Sequence, residues 1–208
     1  MHDPNSGQET GQRDFTHLDE TGQARMVDIS GKQPTHRTAI ANGHISMTPE
    51  TLRKIKTDQL SKKIMIFGNG GSAAIASHVS VDLTKNANIR CHNYNESDLI
   101  TCFSNDYGYE RWVEKAIDFY ADSKDVLILI SSSGKSKNML NACKAAKKNK
   151  ISTIITFTGH NKDNPLSKLG NINFWIDSKA YNFVENIHQV WLLTIVDLII
   201  GKREYSPN

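Results

Sequence analysis

The sequence is short of cysteine and has no long uninterrupted apolar run. Its three cysteines, Cys91, Cys102 and Cys143, lie far apart, without the close spacing of a metal-binding or redox pair. This excludes a disulfide framework and indicates reduced thiols in a cytoplasmic protein. No stretch reaches about 18 apolar residues and the polar N-terminus lacks an apolar leader core, so neither a membrane-spanning helix nor a signal peptide is expected. The apolar segment Trp191–Ile200 is expected to form a buried helix.

An excess of charge of one sign is also missing. The 208 residues include 25 Lys and Arg against 22 Asp and Glu, a formal net charge of +3. The lysines of residues 144–150 favour a solvated helix face over a nucleic-acid-binding patch. With 38% hydrophobic residues, the chain has the composition of a soluble globular protein. Its length suffices for one substantial domain with an appendage, or for two small domains.

The composition changes near residue 60. Residues 1–14 are rich in Gly, Gln, Asp and Asn and are predicted to be disordered. Residues 15–60 contain only short apolar clusters separated by glycines and a proline, so they are expected to have no core of their own. Within them Thr48, Pro49 and Glu50 form a typical helix start. The main domain is therefore predicted over residues 61–204.

Alternating strand and helix patterns fill the main domain. The predicted strands are apolar throughout, which is typical of a parallel sheet covered by helices on both faces. The sequence thus predicts an α/β fold, a three-layer αβα sandwich with a parallel sheet. The predicted strands are Ile64–Phe67, Asp125–Ile130, Ile151–Phe157 and Ile172–Ile176, and the predicted helices are Ser72–Leu83, Lys137–Lys148 and Tyr181–Ile200.

Two strand ends are followed by small polar residues and then a helix. Gly68–Ser72 combines three glycines with Asn69 and Ser72, and Ser131–Ser136 combines four hydroxyls with one glycine and one lysine. Glycines let the backbone approach a ligand, and a helix N-terminus supplies free N–H groups with positive potential. Either loop alone is also compatible with an ordinary tight turn or a serine-rich linker. Together they predict a site for a phosphorylated sugar.

Four motifs in order resemble the sugar isomerase (SIS) domain, and within it the phosphoheptose isomerase group. They are GNGGSA at residues 68–73, SNDYGY at 104–109, SSSGKS at 131–136 and TFTG at 156–159. The resemblance covers about residues 62–202. It implies a flavodoxin-like fold in a homotetramer or homodimer, without membrane or nucleic-acid partners. It also implies interconversion of sedoheptulose 7-phosphate and D-glycero-D-manno-heptose 7-phosphate in bacterial heptose synthesis.

The resemblance also implies the residues that bind the substrate. They lie in the first, second and third motifs and carry amide, carboxylate, hydroxyl or backbone N–H groups. These positions are Asn69, Gly70, Gly71, Ser72, Asn105, Asp106, Ser131, Ser132, Ser133 and Ser136.

A zinc ion and a catalytic base are implied at the first and last helices. The family has a His and, four residues later, a Glu that bind zinc, and this chain has His78 and Asp82 there. The i, i+4 spacing places both side chains on one helical face, although such a pair is also common as a surface hydrogen bond. Glu185 takes the place of the family's Gln ligand. Catalytic and metal-binding roles are therefore expected for His78, Asp82 and Glu185.

One departure from the family puts turnover in question. Leu193 stands where the family has a His that acts as ligand and acid, and leucine can do neither. His188 or His78 must then supply the proton, but His188 is equally compatible with a core or interface histidine. A second hypothesis therefore stays open, a non-catalytic SIS module that binds sugar phosphates or a partner, like those that associate with the bacterial replication initiator.

The N-terminal part resembles a different family. Residues 15–52, including THLDETGQARMVDISGK, are similar to the start of cyclic pyranopterin monophosphate synthase, the molybdenum cofactor protein C. The later segments of that enzyme, including its catalytic lysine, are absent, so its reaction is not expected here. A gene fusion, an engineered chimera and an assembly artefact would all produce this sequence.

Overall fold

A computed structural model describes residues 63–203, together with the isolated residues Gly31 and Pro49. The chain divides into two compact units, residues 1–44 and 45–208, and the described helices and strands belong to the second. Pro49 is helical, in agreement with the helix start predicted there. The predictions for residues 1–14 and for most of residues 15–60 lie outside the described residues.

Residues 63–203 contain five strands and five α-helices. The strands are β1 (Ile64–Phe67), β2 (Cys91–His92), β3 (Val126–Ser131), β4 (Thr153–Thr158) and β5 (Ile172–Trp175). The helices are α1 (Gly71–Lys85), α2 (Ser97–Tyr107), α3 (Trp112–Tyr120), α4 (Lys137–Lys148) and α5 (Tyr181–Ile200), with a 3-10 turn at Tyr109–Arg111.

The strands form one parallel sheet in the order β2-β1-β3-β4-β5. The predicted α/β fold with a parallel sheet is confirmed. Successive crossovers change direction between β1 and β3, which makes the carboxyl ends of these two strands the switch point of the sheet. In open parallel sheets the ligand crevice lies at this point.

The core lies on both faces of the sheet because its central strand is apolar at nearly every position. All six residues of β3 are buried. Leu127 and Leu129 pack with Phe67 and Trp112 on one face. Ile128 and Ile130 pack on the other face, against α1 and α5. This two-sided burial explains the continuous apolar run VLILI.

Three elements were missing from the sequence prediction, namely β2, α2 and α3. Helix α2 has no buried residue. Helix α3 spans only nine residues, although four of them are buried. Strand β2 contributes two residues at the edge of the sheet. Elements this short or this exposed contain few core positions, so few apolar residues in the sequence mark them.

The three cysteines are unpaired, as the sequence predicts. Burial raises the pKa of the Cys91 and Cys143 thiols to about 12, so both stay protonated at neutral pH. Neither thiol therefore has the thiolate character of a nucleophile.

Helix α5 is buried along one stripe only, so the prediction of a buried helix is right for one face and wrong for the others. Within residues 63–203 it is the one helix long and apolar enough to cross a membrane, with a mean hydropathy of 1.4, and 22% of that window is buried. The buried stripe has a spacing of four residues: Val184, His188, Leu192 and Val196. Phe183, Val190 and Leu198 are exposed.

His188 is a core histidine, one of the alternatives that the sequence left open. Its side chain is fully buried. Its Nε2 lies 3.1 Å from the Thr158 carbonyl oxygen, so Nε2 carries the proton and donates it. Nδ1 is buried without a partner among the described residues. Burial lowers the pKa of His188 to about 4, so the ring is neutral at pH 7 and is a poor candidate for the missing acid.

We expect His188 to make folding pH-dependent. The unfolded chain takes up this proton near the ordinary histidine pKa of 6.5, whereas the folded chain does so at a pKa of about 4, so stability is lost as the pH falls through that window. Between pH 7 and pH 4.5 the loss attributable to His188 is on the order of 2 kcal/mol. Denaturant unfolding of wild type and His188→Gln, whose amide still donates to Thr158, measures it. Equal pH dependence in both proteins would contradict the assignment.

Candidate functional site

The two loops predicted to bind a ligand lie side by side at the switch point. The loop at Gly68–Ser72 follows β1, and the loop at Ser131–Ser136 follows β3. Strands β1 and β3 are paired in register from Ile64–Val126 to Phe67–Leu129. Both loops lead into helices, α1 and α4, whose first N–H groups have no partner within their own helix. The sheet thus brings two helix N-termini to one crevice.

The serine loop at Ser131–Ser136 is a compact turn with hydroxyls on its surface. Ser131 Oγ and Ser136 Oγ lie 3.2 Å apart, and the Lys135 amide donates to Ser133 Oγ at 3.3 Å. The Gly159 amide donates to the Ser132 carbonyl at 2.9 Å, which joins this loop to the TFTG motif. Ser131 and Ser132 are buried, whereas Ser133 and Ser136 are partly exposed.

Gly134 is required by the shape of the serine loop. Its φ of +64° is in the left-handed region, and a Cβ there would overlap the side chain of Asn164. Asn164 is 1% exposed and cannot easily move, because its Oδ1 accepts from the Ser167 amide and its Nδ2 donates to the Asn161 carbonyl. The loop therefore tolerates only glycine at this position.

The glycine loop is held by its asparagine. Asn69 and Asn138 exchange two side-chain hydrogen bonds, of 3.0 and 2.8 Å, and the Tyr109 hydroxyl donates to Asn69 Oδ1 at 3.2 Å. Gly70 is exposed, with a φ of +54° and open space around its Cα. Ser72 is buried at the start of α1. Of the four predicted positions here, Gly70 and Gly71 are exposed, Asn69 is partly exposed and Ser72 is buried.

Asn105 and Asp106 occupy the last turn of α2. Both lie at the surface, and the Asn105 amide donates to Asp106 Oδ1 at 2.9 Å. Within residues 63–203 neither side chain forms a hydrogen bond to the glycine loop or the serine loop. Tyr109, in the same motif, is the residue that reaches Asn69.

Two of the predicted residues, His78 and Glu185, line a cleft of about 360 Å³ between α1 and α5. Asp82 lies one turn beyond His78 on α1 and is not part of that lining. His78 Nε2 lies 3.3 Å from Asp82 Oδ2, and the side-chain amide of Asn86 donates to Asp82 Oδ1 at 3.0 Å. On its other side, His78 Nδ1 lies 3.1 Å from Gln189 Nε2. Because an amide nitrogen only donates, Nδ1 accepts and the imidazole proton is on Nε2, facing Asp82.

Glu185 lies at the end of the same cleft that is nearer to the glycine loop. A Cβ on Gly71 would overlap the carboxylate of Glu185, so the Glu185 side chain fits here only because Gly71 has no side chain. Gly71 begins α1, and a carboxylate beside a helix N-terminus is favoured by the helix dipole. His78 lies seven residues further along α1, about 10 Å along the helix axis.

These residues do not fit the expected zinc site. Among residues 63–203, no three His, Cys, Asp or Glu side chains are close enough together to hold a metal ion. His78 and Asp82 are adjacent, but both ring nitrogens of His78 already have protein partners. Leu193 is partly buried against the apolar cluster below α5 and offers no ligand atom. No step of the proposed chemistry therefore uses zinc.

Three residues of the site were missed by the sequence analysis, namely Tyr109, Asn138 and Gln189. Tyr109 lies in the SNDYGY motif, so its position was a usable signal. Gln189 lies four residues after Glu185, the spacing that puts both on one helical face. Asn138 had no sequence signal, because its role depends on how close α4 comes to the glycine loop.

Sequence comparison finds similarity to the SIS domain and to phosphoheptose isomerases. Residues 54–159 match the family model described as the SIS domain. The chain is 31% identical over 151 residues to a phosphoheptose isomerase of Aliarcobacter butzleri, which covers 70% of this chain and 79% of that protein. It is 37% identical over 99 residues to a phosphoheptose isomerase of Campylobacter concisus, which covers 45% of this chain and 52% of that protein.

Comparison with solved structures agrees on the fold. The structure of phosphoheptose isomerase from Neisseria gonorrhoeae is similar to this chain with a TM-score of 0.64 and 24% sequence identity. The similar region covers 73% of this chain and 86% of that chain.

We expect Gly134→Ala to cost more stability than Gly201→Ala, where Gly201 ends α5 in the left-handed region with open space where a Cβ would lie. Both glycines have a positive φ, so both substitutions cost about 1–2 kcal/mol in backbone strain. Only Gly134→Ala also places a Cβ against Asn164, and overpacking adds about 1–3 kcal/mol. Denaturant unfolding of the two variants measures the difference. Equal losses would show that Asn164 does not constrain the serine loop.

Proposed function

We propose, given that this chain belongs to the SIS domain family, that it interconverts the ketose and aldose forms of a phosphorylated heptose in the cytoplasm. Sedoheptulose 7-phosphate is the proposed ketose. One observation supports the proposal above the others: Gly71 of the glycine loop and His78 line the same cleft, and His78 Nε2 faces the carboxylate of Asp82.

The phosphate is proposed to bind at the serine loop. The hydroxyls of Ser133 and Ser136 are partly exposed there, and the first N–H groups of α4 supply positive potential without a bound cation. Lys135 is exposed at the same turn and adds charge. The sugar then extends towards the glycine loop, with Asn69 and the backbone at Gly70 and Gly71 as its partners. The contribution of Asn105 and Asp106 stays a prediction.

Asp82 is proposed as the base. Isomerisation through an enediol needs a base to take the proton from the carbon next to the carbonyl and to return it to the neighbouring carbon. The Asp82 carboxylate is oriented by two donors, Nε2 of His78 and the side-chain amide of Asn86. The His78 side chain is half exposed, and its Nε2–H donates a hydrogen bond to Asp82. Glu185, beside Gly71, is placed to hydrogen-bond a sugar hydroxyl.

The second candidate function is sugar-phosphate binding without turnover. Leu193 favours it, because this residue leaves no proton donor at that point of α5. The fully buried His188 does not replace the donor. In this alternative the loops at Gly68–Ser72 and Ser131–Ser136 bind the ligand as proposed, and the His78–Asp82 pair only orders the cleft.

An assay with sedoheptulose 7-phosphate distinguishes the two functions. We expect the wild type to form the aldose, with kcat at least about 100-fold lower in Asp82→Asn, the usual range for loss of a general base. Asp98→Asn, an exposed carboxylate on α2 outside the cleft, is the matched control and should keep full activity. Absence of product, with chelator or with added zinc, would reject isomerisation, and stabilisation by the ligand would then support the binding module.

The proposed assembly is a homo-oligomer, a homotetramer or homodimer. Val190 and Phe183 on α5 and Val81 on α1 are each more than half exposed. Phe183 and Val190 are seven residues apart, which puts them on one face of α5, and apolar surface exposed in this way marks association sites. Since α1 and α5 also border the cleft, association of two copies over these helices would affect its access.

We expect Val190→Glu to lower the assembled mass. A charge placed inside an apolar interface is costly because it loses water without a partner. Sedimentation velocity of wild type and variant measures the assembly state. Phe119→Glu on α3, an equally exposed apolar position, is the control and should leave the mass unchanged. A monomeric wild type would contradict the proposed assembly.

A further inference from the structure

The side chain of Asn69 belongs to a hydrogen-bond network in which each donor and each acceptor is fixed by its partner. The Met139 amide donates to Asn138 Oδ1 at 3.1 Å. A backbone N–H can only donate, so this bond fixes which end of the Asn138 amide is oxygen. The Asn138 nitrogen then faces Asn69 and donates to its Oδ1 at 2.8 Å. Asn138 is 2% exposed, so no water competes for these bonds.

Counting donors and acceptors shows what Asn69 has left for a ligand. Its Oδ1 has two lone pairs and accepts from both Asn138 and Tyr109. Its Nδ2 has two N–H groups and gives one of them to Asn138 Oδ1 at 3.0 Å. Within residues 63–203 the side chain therefore has one free N–H and no free acceptor.

We infer that Asn138 and Tyr109 are positioning residues that make Asn69 a hydrogen-bond donor towards the ligand. A ligand atom at Asn69 must then be an acceptor, such as a hydroxyl oxygen of the sugar chain. The inference rests on the proposed function only for the choice of ligand.

The same network sets the distance between the two ends of the site. Asn69 belongs to the glycine loop, and Asn138 belongs to the first turn of α4, directly after the serine loop. The reciprocal bonds between their side chains join the two loops without an intervening residue. Phosphate bound at the start of α4 and an acceptor bound at Asn69 are thereby held at a fixed separation. Inorganic phosphate needs only one of these ends.

Side-chain amide exchange in the free protein tests the orientation directly. In 15N-labelled protein we expect Asn69 to show slowed exchange of one N–H, lost in Asn138→Ala and reduced in Tyr109→Phe. Asn141→Ala is the matched control, because Asn141 lies on the same helix and donates to the Glu110 carbonyl at 2.9 Å instead of to the glycine loop. Rapid exchange of both Asn69 protons in the wild type would overturn the inference, whether or not the protein isomerises sugars.

Ligand titration tests the consequence. In Asn138→Ala we expect the affinity for sedoheptulose 7-phosphate to fall about tenfold, the equivalent of one hydrogen bond, and the affinity for inorganic phosphate to change by less than about twofold. Equal losses for both ligands would indicate a merely structural role and overturn the positioning role, as would no loss for either. If the wild type bound neither ligand, the proposed function would fail, and amide exchange would still decide the orientation of Asn69.

Discussion

The pairing of β1 with β3 is the constraint on which the site depends. These strands are separated by about sixty residues in the chain but are adjacent and parallel in the sheet. Parallel pairing brings both carboxyl ends to one edge, and with them the starts of α1 and α4. Neither loop is a complete site by itself, because each supplies only one helix N-terminus and a few hydrogen-bonding groups. The buried strand β3 keeps them together.

Helix α5 forms the third side of the site, and the buried His188 fixes the position of this helix against the sheet. The bond from His188 Nε2 to the Thr158 carbonyl fixes α5 against the end of β4. Thr158 pairs with Ser131, the first residue of the serine loop, so α5 is tied to the same edge of the sheet. Glu185 and Gln189 are three residues before and one residue after His188, which turns both towards α1. A core contact thus orients residues of the cleft.

The sequence predicted the elements that carry the two loops closely and missed those between residues 86 and 120. Helices α4 and α5 have the predicted bounds. Helix α2 escaped prediction because its burial is weak, and Asn138 escaped because its importance arises from a contact between elements distant in sequence. Small polar residues after two apolar strands identified both loops, and motif resemblance identified the His78–Asp82 pair. It could not indicate that Gln189 covers the other nitrogen of His78.

Binding and turnover make different demands on this chain. Binding depends on the backbone and small polar groups that β1 and β3 hold in place, and these are intact. In the proposed mechanism, turnover depends on proton transfer at His78 and Asp82, where Gln189 holds the His78 proton towards Asp82 and Leu193 replaces the donor known from the family. A carboxylate with a histidine behind it suffices to move a carbon-bound proton, but the sugar oxygens also need a proton source. Because Leu193 cannot donate a proton, the proposed proton source for the sugar oxygens is His78, Glu185 or water. Access of water to the cleft is then part of the proposed chemistry.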